Sequence, residues 1–225
     1  ANLLGRPIGR VESMTAKGVD SSVRYFAHSE VRESQSDMIE DGIEALLSEG
    51  SLMALAPTGI GKTAAALASA ISVQRASSDN LKILFLTSRQ SQHRIVVDTV
   101  QKINQKLGQT EPSIKLVDLI GREGMCNSVD RMSGKCDCED ELDGSMRDEL
   151  RADMQAKILR NPTHVDDLIE NSKRINLCAW ATAREAVKSC NILVCDYNHV
   201  FIDSVREASL PSMGVDIENT ILIVD

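Results

Sequence analysis

The sequence predicts an α/β fold, in which a parallel sheet carries helices on both of its faces. Three observations predict it. Short apolar runs of strand length recur along the chain, helical stretches separate the first of them, and a glycine-rich turn links one such run to a helix. Strands that alternate with helices are joined by crossovers and therefore run parallel. At 225 residues, 42% of them hydrophobic, the chain is long enough to bury the core that this fold requires.

The first predicted element is a helix over residues 29–50. Apolar residues recur there mostly at helical spacing, Ser29 can cap the start, and Gly50 can stop the end. The length corresponds to about five turns. The apolar residues are Val31, Met38, Ile39, Ile43, Leu46 and Leu47. Residues 1–28 show little periodicity, and we predict no element for them.

Five short apolar runs predict strands that are buried on both faces of the sheet. They span residues 52–56, 83–87, 114–119, 192–195 and 221–224. Helical stretches over 62–73 and 90–107 separate the first three runs. About 70 residues lie between the third and fourth runs, whereas a crossover commonly needs about a dozen. The chain therefore carries an insertion in this crossover.

The composition indicates a soluble intracellular protein. The sequence contains no run of 18 apolar residues and no signal peptide, so we expect no membrane contact. In this setting six cysteines, all at or after position 126, favour metal ligation, catalysis or burial over disulfide bonds. The net charge of -8 argues against a polyanionic partner held by bulk positive charge, although basic patches can still exist locally.

The stretch APTGIGKT, which begins at Ala56, has the features of a phosphate-binding loop between a strand and a helix. Ala56 stands where glycine is commonest. Gly59 and Gly61 allow backbone N–H groups to converge on phosphate oxygens. Lys62 would reach the β- and γ-phosphates, and Thr63 would hold Mg²⁺. The alternative is a glycine-rich turn without a ligand, which the Lys-Thr pair and both flanking elements disfavour.

Asp225 is the candidate for a second metal contact. It follows the apolar run ILIV, and a phosphate-binding loop requires an acidic residue at the end of a neighbouring strand. An ordinary strand end is the alternative, which is less favoured beside such a loop. Lys62 and Asp225 are thus the candidate catalytic residues for nucleotide hydrolysis.

Four stretches resemble motifs of superfamily 2 helicases. ALAPTGIGKT resembles motif I, ILFLTSRQSQHRIVVDTV resembles motif Ia, and the terminal IVD resembles the opening of a DEAH box. RESQSDMIEDGIEALLSEG resembles the segment that helps to read adenine. The resemblance implies nucleotide contacts at Arg32, Gln35, Pro57, Thr58, Gly59, Ile60, Gly61, Lys62 and Thr63. It implies contacts with the DNA backbone at Thr87, Ser88 and Gln92.

The cysteine-containing stretches are more specific. GREGMC, GKCDCED and INLCAWATAREAVKSCNILVCDYNHVF follow one another between motifs Ia and II. This layout is similar to the XPD family of 5′-to-3′ DNA helicases, with its relatives FancJ and DinG, and the resemblance covers residues 25–225. It implies a RecA-like sheet that is interrupted by a small iron–sulfur domain, with ATP, Mg²⁺ and a 4Fe-4S cluster as cofactors. It also implies single-stranded DNA and DNA forks as partners, and a role in DNA repair.

The resemblance divides the chain into four parts. Residues 25–120 form the first part of motor domain 1, residues 121–177 form the iron–sulfur insertion, and residues 178–225 return to the motor domain and end at the first residue of the DEAH box. Residues 1–24 stay unassigned. Because arginine fingers and the second motor domain would follow Asp225, we expect this piece alone to hydrolyse ATP poorly. We expect a monomer in the nucleus, or in the cytoplasm at the nucleoid, and the sequence identifies no repair-protein partner.

Four cysteines are the candidate metal ligands: Cys126, Cys136, Cys138 and Cys178. Their order matches the resembling family, and thiolates suit both an iron–sulfur cluster and zinc, between which the resemblance favours iron–sulfur. The close pair is tighter than in most relatives, which leaves open whether both of its members ligate. The polar insertion offers little core in which to bury these thiols. We expect Cys190 and Cys195 instead to be buried as small hydrophobic residues.

Basic residues in the insertion are candidates for DNA contact, because its surplus of acidic residues excludes binding by bulk charge. They are Arg122, Lys135, Lys173 and Arg174, although a solvated surface charge is the simpler interpretation of each. We expect Trp180 to pack against the cluster rather than to stack on a base. The histidines have no metal-ligand spacing to one another; those considered are His93, His164 and His199.

Two other functions stay open. A nucleic-acid-binding or redox-sensing iron–sulfur module could use the phosphate-binding loop as a switch without unwinding DNA. A helicase assay on a 5′-tailed duplex distinguishes this module from a helicase. A zinc-bearing RNA helicase could share the same motifs. The colour of the purified protein tests that alternative, because an iron–sulfur cluster absorbs at about 400 nm and zinc does not.

Overall fold

The computed structural model describes residues 24–57, 59–126, 128, 130, 132–133 and 136–225. In this part of the chain the helices are α1 (Glu33–Leu47), α2 (Lys62–Ala76), α3 (Gln90–Leu107), α4 (Arg122–Met125), α5 (Gly144–Arg160), α6 (Val165–Lys173), α7 (Ala179–Ala186), α8 (Asn198–Phe201) and α9 (Asp203–Ser209). The strands are β1 (Lys82–Leu86), β2 (Leu116–Asp118), β3 (Ile192–Cys195) and β4 (Thr220–Val224). None of these helices combines the length and the hydrophobicity that are needed to cross a membrane.

The four strands form one parallel sheet in the order β2-β3-β1-β4. Leu84 in the centre of β1 lies opposite Leu193 of β3 and Leu222 of β4. Every residue of the two central strands, β1 and β3, is buried. Continuous burial of this kind is typical of parallel strands that have helices on both faces. The predicted α/β fold is therefore confirmed.

Side chains of successive strand residues point to opposite faces of the sheet and build two separate cores. Ile83 and Phe85 belong to the core that α1, α2 and α3 cover. Leu84 and Leu86 belong to the core that α5, α6 and α7 cover. Since α5 and α6 lie within the predicted insertion, the expectation that this segment has little core is wrong for its second half. The buried hydrophobic residues of these two helices are Met154, Ile158, Val165 and Leu168.

The apolar run at residues 52–56 does not form the predicted strand. Met53 and Leu55 are 97% and 102% exposed. Leu52 and Ala54 line a cavity of about 700 Å³, which residues of β4 also line. None of the described strands pairs with this run, so it has no ladder of backbone hydrogen bonds, and β4 is the edge of the sheet that those strands form.

The helix α1 is shorter than the predicted helix over residues 29–50. Arg32, rather than Ser29, is its N-cap, because the backbone N–H of Arg32 donates to Oε1 of Gln35 at 2.9 Å. Ser48 ends the helix, and its Oγ donates to a carbonyl of the last turn. The helix α2 extends three residues beyond its predicted end, whereas α3 has its predicted bounds.

Candidate nucleotide and metal sites

The turn that precedes α2 has the backbone of a phosphate-binding loop. Gly59 and Gly61 have φ angles of +83° and +86°, in the left-handed region that favours glycine. Gly61 is also the N-cap of α2, so the free N–H groups of this helix lie at the turn. A Cβ atom at Gly61 would lie 2.7 Å from Nε2 of Gln35, so the position requires glycine for space as well. Thr58, another predicted nucleotide contact, lies outside the described residues.

Gln35 supports this turn from α1. Its side chain is buried, its Oε1 accepts the backbone N–H of Arg32 at 2.9 Å, and its Nε2 donates to the carbonyl of Ile60 at 2.6 Å. Both ends of the carboxamide are therefore bonded to the backbone. A cavity of about 380 Å³ lies between α1 and the turn, and Gln35, Pro57 and Ile60 line it. Contacts with adenine stay a prediction for Arg32 and Gln35.

Lys62 folds back over the start of the turn. Its Nζ donates to the carbonyl of Ala56 at 2.7 Å and to that of Pro57 at 3.3 Å. Both acceptors are neutral. Because a hydrogen bond between two charged groups is stronger than one to a neutral carbonyl, a phosphate in the turn would draw the ammonium group away from them.

Three predicted residues meet at one cavity. Oγ1 of Thr63 accepts a hydrogen bond from Nε2 of Gln92 at 3.1 Å. Asp225 follows β4, and its backbone N–H donates to the carbonyl of Leu86 at 3.1 Å. Lys62, Thr63 and Asp225 all line the cavity of about 700 Å³ beside β4. The fold thus collects an ammonium group, a hydroxyl and a carboxylate, which are the groups that a magnesium-bound nucleotide requires.

The predicted DNA contacts lie where β1 ends and α3 begins. Ser88 is exposed and Gln92 is half-buried, whereas Thr87 is 1% exposed. The backbone N–H of Thr87 donates to the carbonyl of Cys195 at 3.0 Å, which extends the pairing of β1 with β3. The side chain of Thr87 therefore lies beneath the surface, and contact with DNA stays a prediction for all three residues.

The four candidate ligands gather at one place. The Sγ atoms of Cys126, Cys136 and Cys138 lie within 4.8 Å of one another, and those of the close pair are 3.5 Å apart. Cys178 is the N-cap of α7, where its Sγ accepts the N–H of Ala181 at 3.4 Å. Cys178 also lines a cavity of about 200 Å³ together with Cys126 and Cys138. All four thiols are free.

These thiols differ in how readily they ionise. Burial opposes the ionisation of Cys136, but the hydrogen bonds that it accepts from Arg122 at 3.3 Å and from Cys138 at 3.5 Å outweigh burial and lower its pKa. Burial, followed by the hydrogen bond to Cys136, raises the pKa of Cys138, and burial also raises the pKa of Cys178. A soft metal cation would let all of them bind as thiolates. The donor set therefore fits a thiolate-bound centre, of either zinc or iron–sulfur.

Arg122 connects this cysteine cluster to Trp180. The guanidinium group of Arg122 lies 4.9 Å from the centre of the Trp180 ring, and that of Arg184 lies 4.8 Å from it. The indole is thus engaged by two cations, one of which also donates to Cys136. This arrangement agrees with the expectation that Trp180 packs at the metal site.

The other basic candidates in the insertion have different surroundings. Lys173 lines the cavity of the cysteine cluster. Arg174, the C-cap of α6, forms an exposed ion pair with Glu170 of that helix. Lys135 lies outside the described residues. Of the two that are described, Lys173 is the one placed at the cysteines.

Cys190 and Cys195 are 5% and 0% exposed. Both belong to the core that α5, α6 and α7 cover. Burial raises the pKa of Cys190 to about 11 and also raises that of Cys195. The expectation that these two residues are buried as small hydrophobic groups is confirmed.

A buried polar cluster at the end of β2 was not predicted from the sequence. The carboxylate of Asp118 lies 2.5 Å from Nδ1 of His93 and accepts the backbone N–H of Val165 at 2.9 Å. Nε2 of His164 lies 3.8 Å from the same carboxylate. The side chains of His93, Asp118 and His164 are 2%, 0% and 3% exposed. The one signal in the sequence is Asp118 itself, an acidic residue inside an apolar run.

Comparison with known proteins identifies relatives of this chain. The DEAD_2 family model matches residues 62–225, which is more than half of the chain. The ATP-dependent DNA helicase chl1 of Schizosaccharomyces pombe is 26% identical over an alignment of 159 residues, and the match covers 64% of this chain and 18% of that helicase. The chain thus spans less than a fifth of the length of this relative.

Two solved structures share the fold. The structure named XPD_Helicase has a TM-score of 0.57 and 16% identity, and the match covers 88% of this chain and 33% of that one. The structure named Truncated XPD has a TM-score of 0.51 and 19% identity, over 86% of this chain and 51% of that one. The resemblance that the motifs predicted is confirmed by the family model. The chain belongs to the DEAD_2 family.

Proposed function

We propose that this chain binds ATP and Mg²⁺ as part of a DNA helicase, in which hydrolysis drives 5′-to-3′ movement along single-stranded DNA. The observation that carries the proposal is the cavity of about 700 Å³ that Lys62, Thr63 and Asp225 share. Membership of the DEAD_2 family and similarity to a protein named as an ATP-dependent DNA helicase support it. A DNA fork is the expected substrate, and DNA repair is the expected process.

Each group at the nucleotide site has a role in this proposal. Lys62 leaves the carbonyls of the turn and binds the β- and γ-phosphates. Thr63 and Asp225 hold Mg²⁺ between them. Arg32 and Gln35 contact adenine from the start of α1.

We infer that the four clustered cysteines hold a 4Fe-4S cluster: Cys126, Cys136, Cys138 and Cys178. The meeting of three thiols within 4.8 Å and the positive charge of Arg122 beside them support a thiolate-bound centre. When bound, the cluster would join the segment of the first three cysteines to the start of α7. About four iron and four sulfide ions per chain, with absorption at about 400 nm, are expected. Zinc in their place would contradict the inference.

We assign residues 121–177 to the metal-bearing insertion, and residues 25–120 and 178–225 to the motor domain. The packing of α5 and α6 on the sheet supports an insertion that shares a core with the motor domain. Because of this shared core, movement of the insertion would be transmitted to the sheet and would not be absorbed by a flexible linker. Limited proteolysis tests this assignment, because a shared core predicts that cleavage between residues 126 and 136 leaves the two fragments together.

An unwinding assay tests the helicase function. In a protein that joins this chain to a second motor domain, we expect ATP-dependent unwinding of a 5′-tailed duplex and none of a 3′-tailed duplex. Lys62→Ala provides the control, since it removes the cation at the phosphates and should abolish unwinding. We expect the 225-residue chain alone to hydrolyse ATP poorly, and rapid DNA-stimulated turnover by it would contradict this expectation.

A nucleotide-switched or redox-sensing module without unwinding activity is the second candidate. The guanidinium group of Arg122, which donates to Cys136 at 3.3 Å and lowers the pKa of that thiol, favours a redox-sensing role. This second candidate predicts that ATP changes the affinity for DNA while the 5′-tailed duplex stays intact. The same assay therefore separates the two functions.

A further inference from the structure

Asp118, the last residue of β2, has a side chain with 0% exposure. A buried carboxylate is strongly destabilising unless hydrogen bonds and opposite charge compensate it. Here Oδ1 lies 2.5 Å from Nδ1 of His93, and Oδ2 accepts the backbone N–H of Val165 at 2.9 Å. The two oxygens therefore join α3 to the first residue of α6.

The partners of His93 define its protonation state. Nδ1 faces the carboxylate of Asp118, and Nε2 lies 3.2 Å from the carbonyl of Thr87. Both partners are acceptors, and only a protonated, positively charged ring can donate to both of them. Burial alone would lower the pKa of His93, but the hydrogen bond and charge of Asp118, with the carbonyl of Thr87, outweigh burial and raise it.

His164 has the opposite arrangement. Its Nδ1 accepts the backbone N–H of Asp166 at 3.2 Å and lies 3.0 Å from Nη2 of Arg94, which is also a donor. A neutral ring that accepts at Nδ1 carries its proton on Nε2, and this atom lies 3.3 Å from the carbonyl of Gln90. His164 is the N-cap of α6, so the start of this helix is bonded to the start of α3.

The two histidines hold the same stretch of backbone, residues 87–92, which comprises the link between β1 and α3 and the first residues of α3. His93 contacts the carbonyl of Thr87, the first residue of this stretch, and His164 contacts the carbonyl of Gln90. Its last residue, Gln92, donates to Oγ1 of Thr63 at 3.1 Å. Segment 87–92 is thus held at two points by the histidine cluster and at a third by the phosphate-binding loop.

We propose that His93, Asp118 and His164 are positioning residues for nucleic-acid binding. They fix the carbonyls of segment 87–92, so that its exposed side chains, Ser88 and Arg89, and the free N–H groups at the start of α3 are presented together to a phosphate backbone. Since α6 lies between the third and fourth cysteines, the same cluster links the metal-bearing segment to this surface. The inference rests on the proposed function, because it places single-stranded DNA at segment 87–92.

The experiment measures binding of a labelled oligothymidylate of about 20 nucleotides to the 225-residue chain by fluorescence anisotropy. Asp118→Asn removes the charge that holds His93 and should weaken DNA binding about tenfold. In the absence of DNA, the affinity for magnesium-bound nucleotide should change less than about twofold, because the residues of the phosphate-binding loop are unaltered. This separation of two affinities is not expected from general destabilisation.

Two further variants provide a control and an alternative to Asp118→Asn. Lys82→Met is the matched control, because Lys82 is buried at the opposite end of β1, where its Nζ donates to the carbonyls of Val187 and Cys190, both at 2.9 Å. It should lower stability without weakening DNA binding. If Asp118→Asn does not fold, the double replacement His93→Leu and Asp118→Leu substitutes an apolar pair, which buried ion pairs often tolerate, and it should weaken DNA binding to a similar extent.

Nitrogen NMR of the imidazole rings tests the geometry directly. At about pH 7, we expect both ring nitrogens of His93 to be protonated. The neutral form of His164 should be the tautomer with its proton on Nε2. In Asp118→Asn, His93 should lose one proton and His164 should be unchanged. A singly protonated His93 in the wild-type chain would overturn the inference.

The outcomes distinguish this inference from the proposed function. Wild-type chain that binds the oligonucleotide, with the Asp118 or double variant binding it equally well, overturns the inference and leaves the proposed function in place. Wild-type chain that does not bind the oligonucleotide overturns both. Weaker binding in these variants and unchanged binding in Lys82→Met support the positioning role.

Discussion

Glu139 joins Cys178 to the rest of the cysteine cluster. One of its carboxylate oxygens accepts the backbone N–H of Cys178 at 3.0 Å, and the other accepts Nη2 of Arg151 on α5 at 2.5 Å. The side chains of Glu139 and Arg151 are 16% and 26% exposed, so water screens this pair less than a surface pair. Because Glu139 directly follows Cys138, it ties the loop of the close pair to the start of α7.

Glu139→Gln should therefore weaken metal retention. Glutamine has one acceptor oxygen where Glu139 uses two, so either Cys178 or Arg151 loses its partner. Loss of a group that orients a metal ligand commonly lowers metal affinity about 10- to 100-fold. Iron and sulfide content after challenge with a chelator provides the measurement. Glu141→Gln is the matched control, since Glu141 is exposed and accepts from the side chain of Asn176 at 3.2 Å; equal retention in both variants would contradict the role of Glu139.

Arg122 should control the reactivity of Cys136 in the metal-free chain. The pKa of Cys136 is lowered and that of Cys138 is raised, so Cys136 should be alkylated at lower pH than Cys138. Arg122→Gln removes a positive charge and a donor at 3.3 Å, which should raise the pKa of Cys136 and shift its alkylation to higher pH. Peptide mass spectrometry of samples alkylated across a pH series measures each cysteine separately.

Arg184→Gln is the control for this prediction. Arg184 lies 4.8 Å from the same indole ring and donates to Ser212 rather than to a thiol. The variant should therefore weaken the contact with Trp180 and leave the alkylation profile of Cys136 in place. Identical profiles for wild type and Arg122→Gln would show that the guanidinium group does not stabilise the thiolate.

Local patterns in the sequence were sufficient for the elements whose shape depends on neighbouring residues. The turn at Gly59 and Gly61 requires left-handed backbone, and Lys-Thr directly after it marks the phosphate-binding loop. The helix α3 was predicted with its observed bounds, because its apolar residues keep helical spacing over 18 residues. The order of the cysteines likewise predicted the cysteine cluster that the structure contains.

Features that depend on distant partners could not be predicted in this way. The run at residues 52–56 has strand composition, but a strand also needs a neighbour for its hydrogen bonds, and β4 does not pair with it. His93, Asp118 and His164 lie far apart in sequence, and their meeting depends on the packing of α3 and α6 at the end of β2. Only Asp118, an acidic residue inside an apolar run, indicated a buried polar site in the sequence, and an acidic residue at an ordinary strand end gives the same pattern.

Gly61→Ala should damage the nucleotide site in two ways. The φ angle of +86° is unfavourable for alanine by about 1–2 kcal/mol, and the new Cβ would lie 2.7 Å from Nε2 of Gln35. We expect the free energy of unfolding to fall by about 2 kcal/mol or more. Calorimetry should also show weaker binding of magnesium-bound ATP, because the bond from Gln35 to the carbonyl of Ile60 must move.

Gly108→Ala separates the two effects. Gly108 has a φ angle of +58°, and among the described residues no neighbouring atom lies within 4 Å of the place that a Cβ would take there. This variant should therefore show the conformational penalty alone. In the Gly61→Ala background, Gln35→Ala should remove the clash and cost less than it does in wild type. Strictly additive losses for Gly61 and Gln35 would argue that the two residues do not contact each other.

The ion pair of His93 and Asp118 should make stability depend on pH. The pKa of His93 is raised above its ordinary value of 6.5, so the folded chain holds this proton more tightly than the unfolded chain does. The resulting stability is fully present below about pH 6.5 and is lost as the pH rises through the raised pKa. His93→Gln should therefore be more destabilising at about pH 6 than at about pH 9, by about 1.4 kcal/mol for each unit by which the pKa is raised. Urea unfolding of both proteins at the two pH values measures this difference.

The Asp118→Asn background shows whether Asp118 is the cause. Without the carboxylate, burial opposes the charge on His93 and the carbonyl of Thr87 alone supports it, so the penalty of His93→Gln should lose most of its dependence on pH. A penalty that is equal at the two pH values in wild type, or larger at about pH 9, would mean that His93 is not held as a cation. In that case the ring, with its single proton, could donate to the carboxylate of Asp118 or to the carbonyl of Thr87, but not to both.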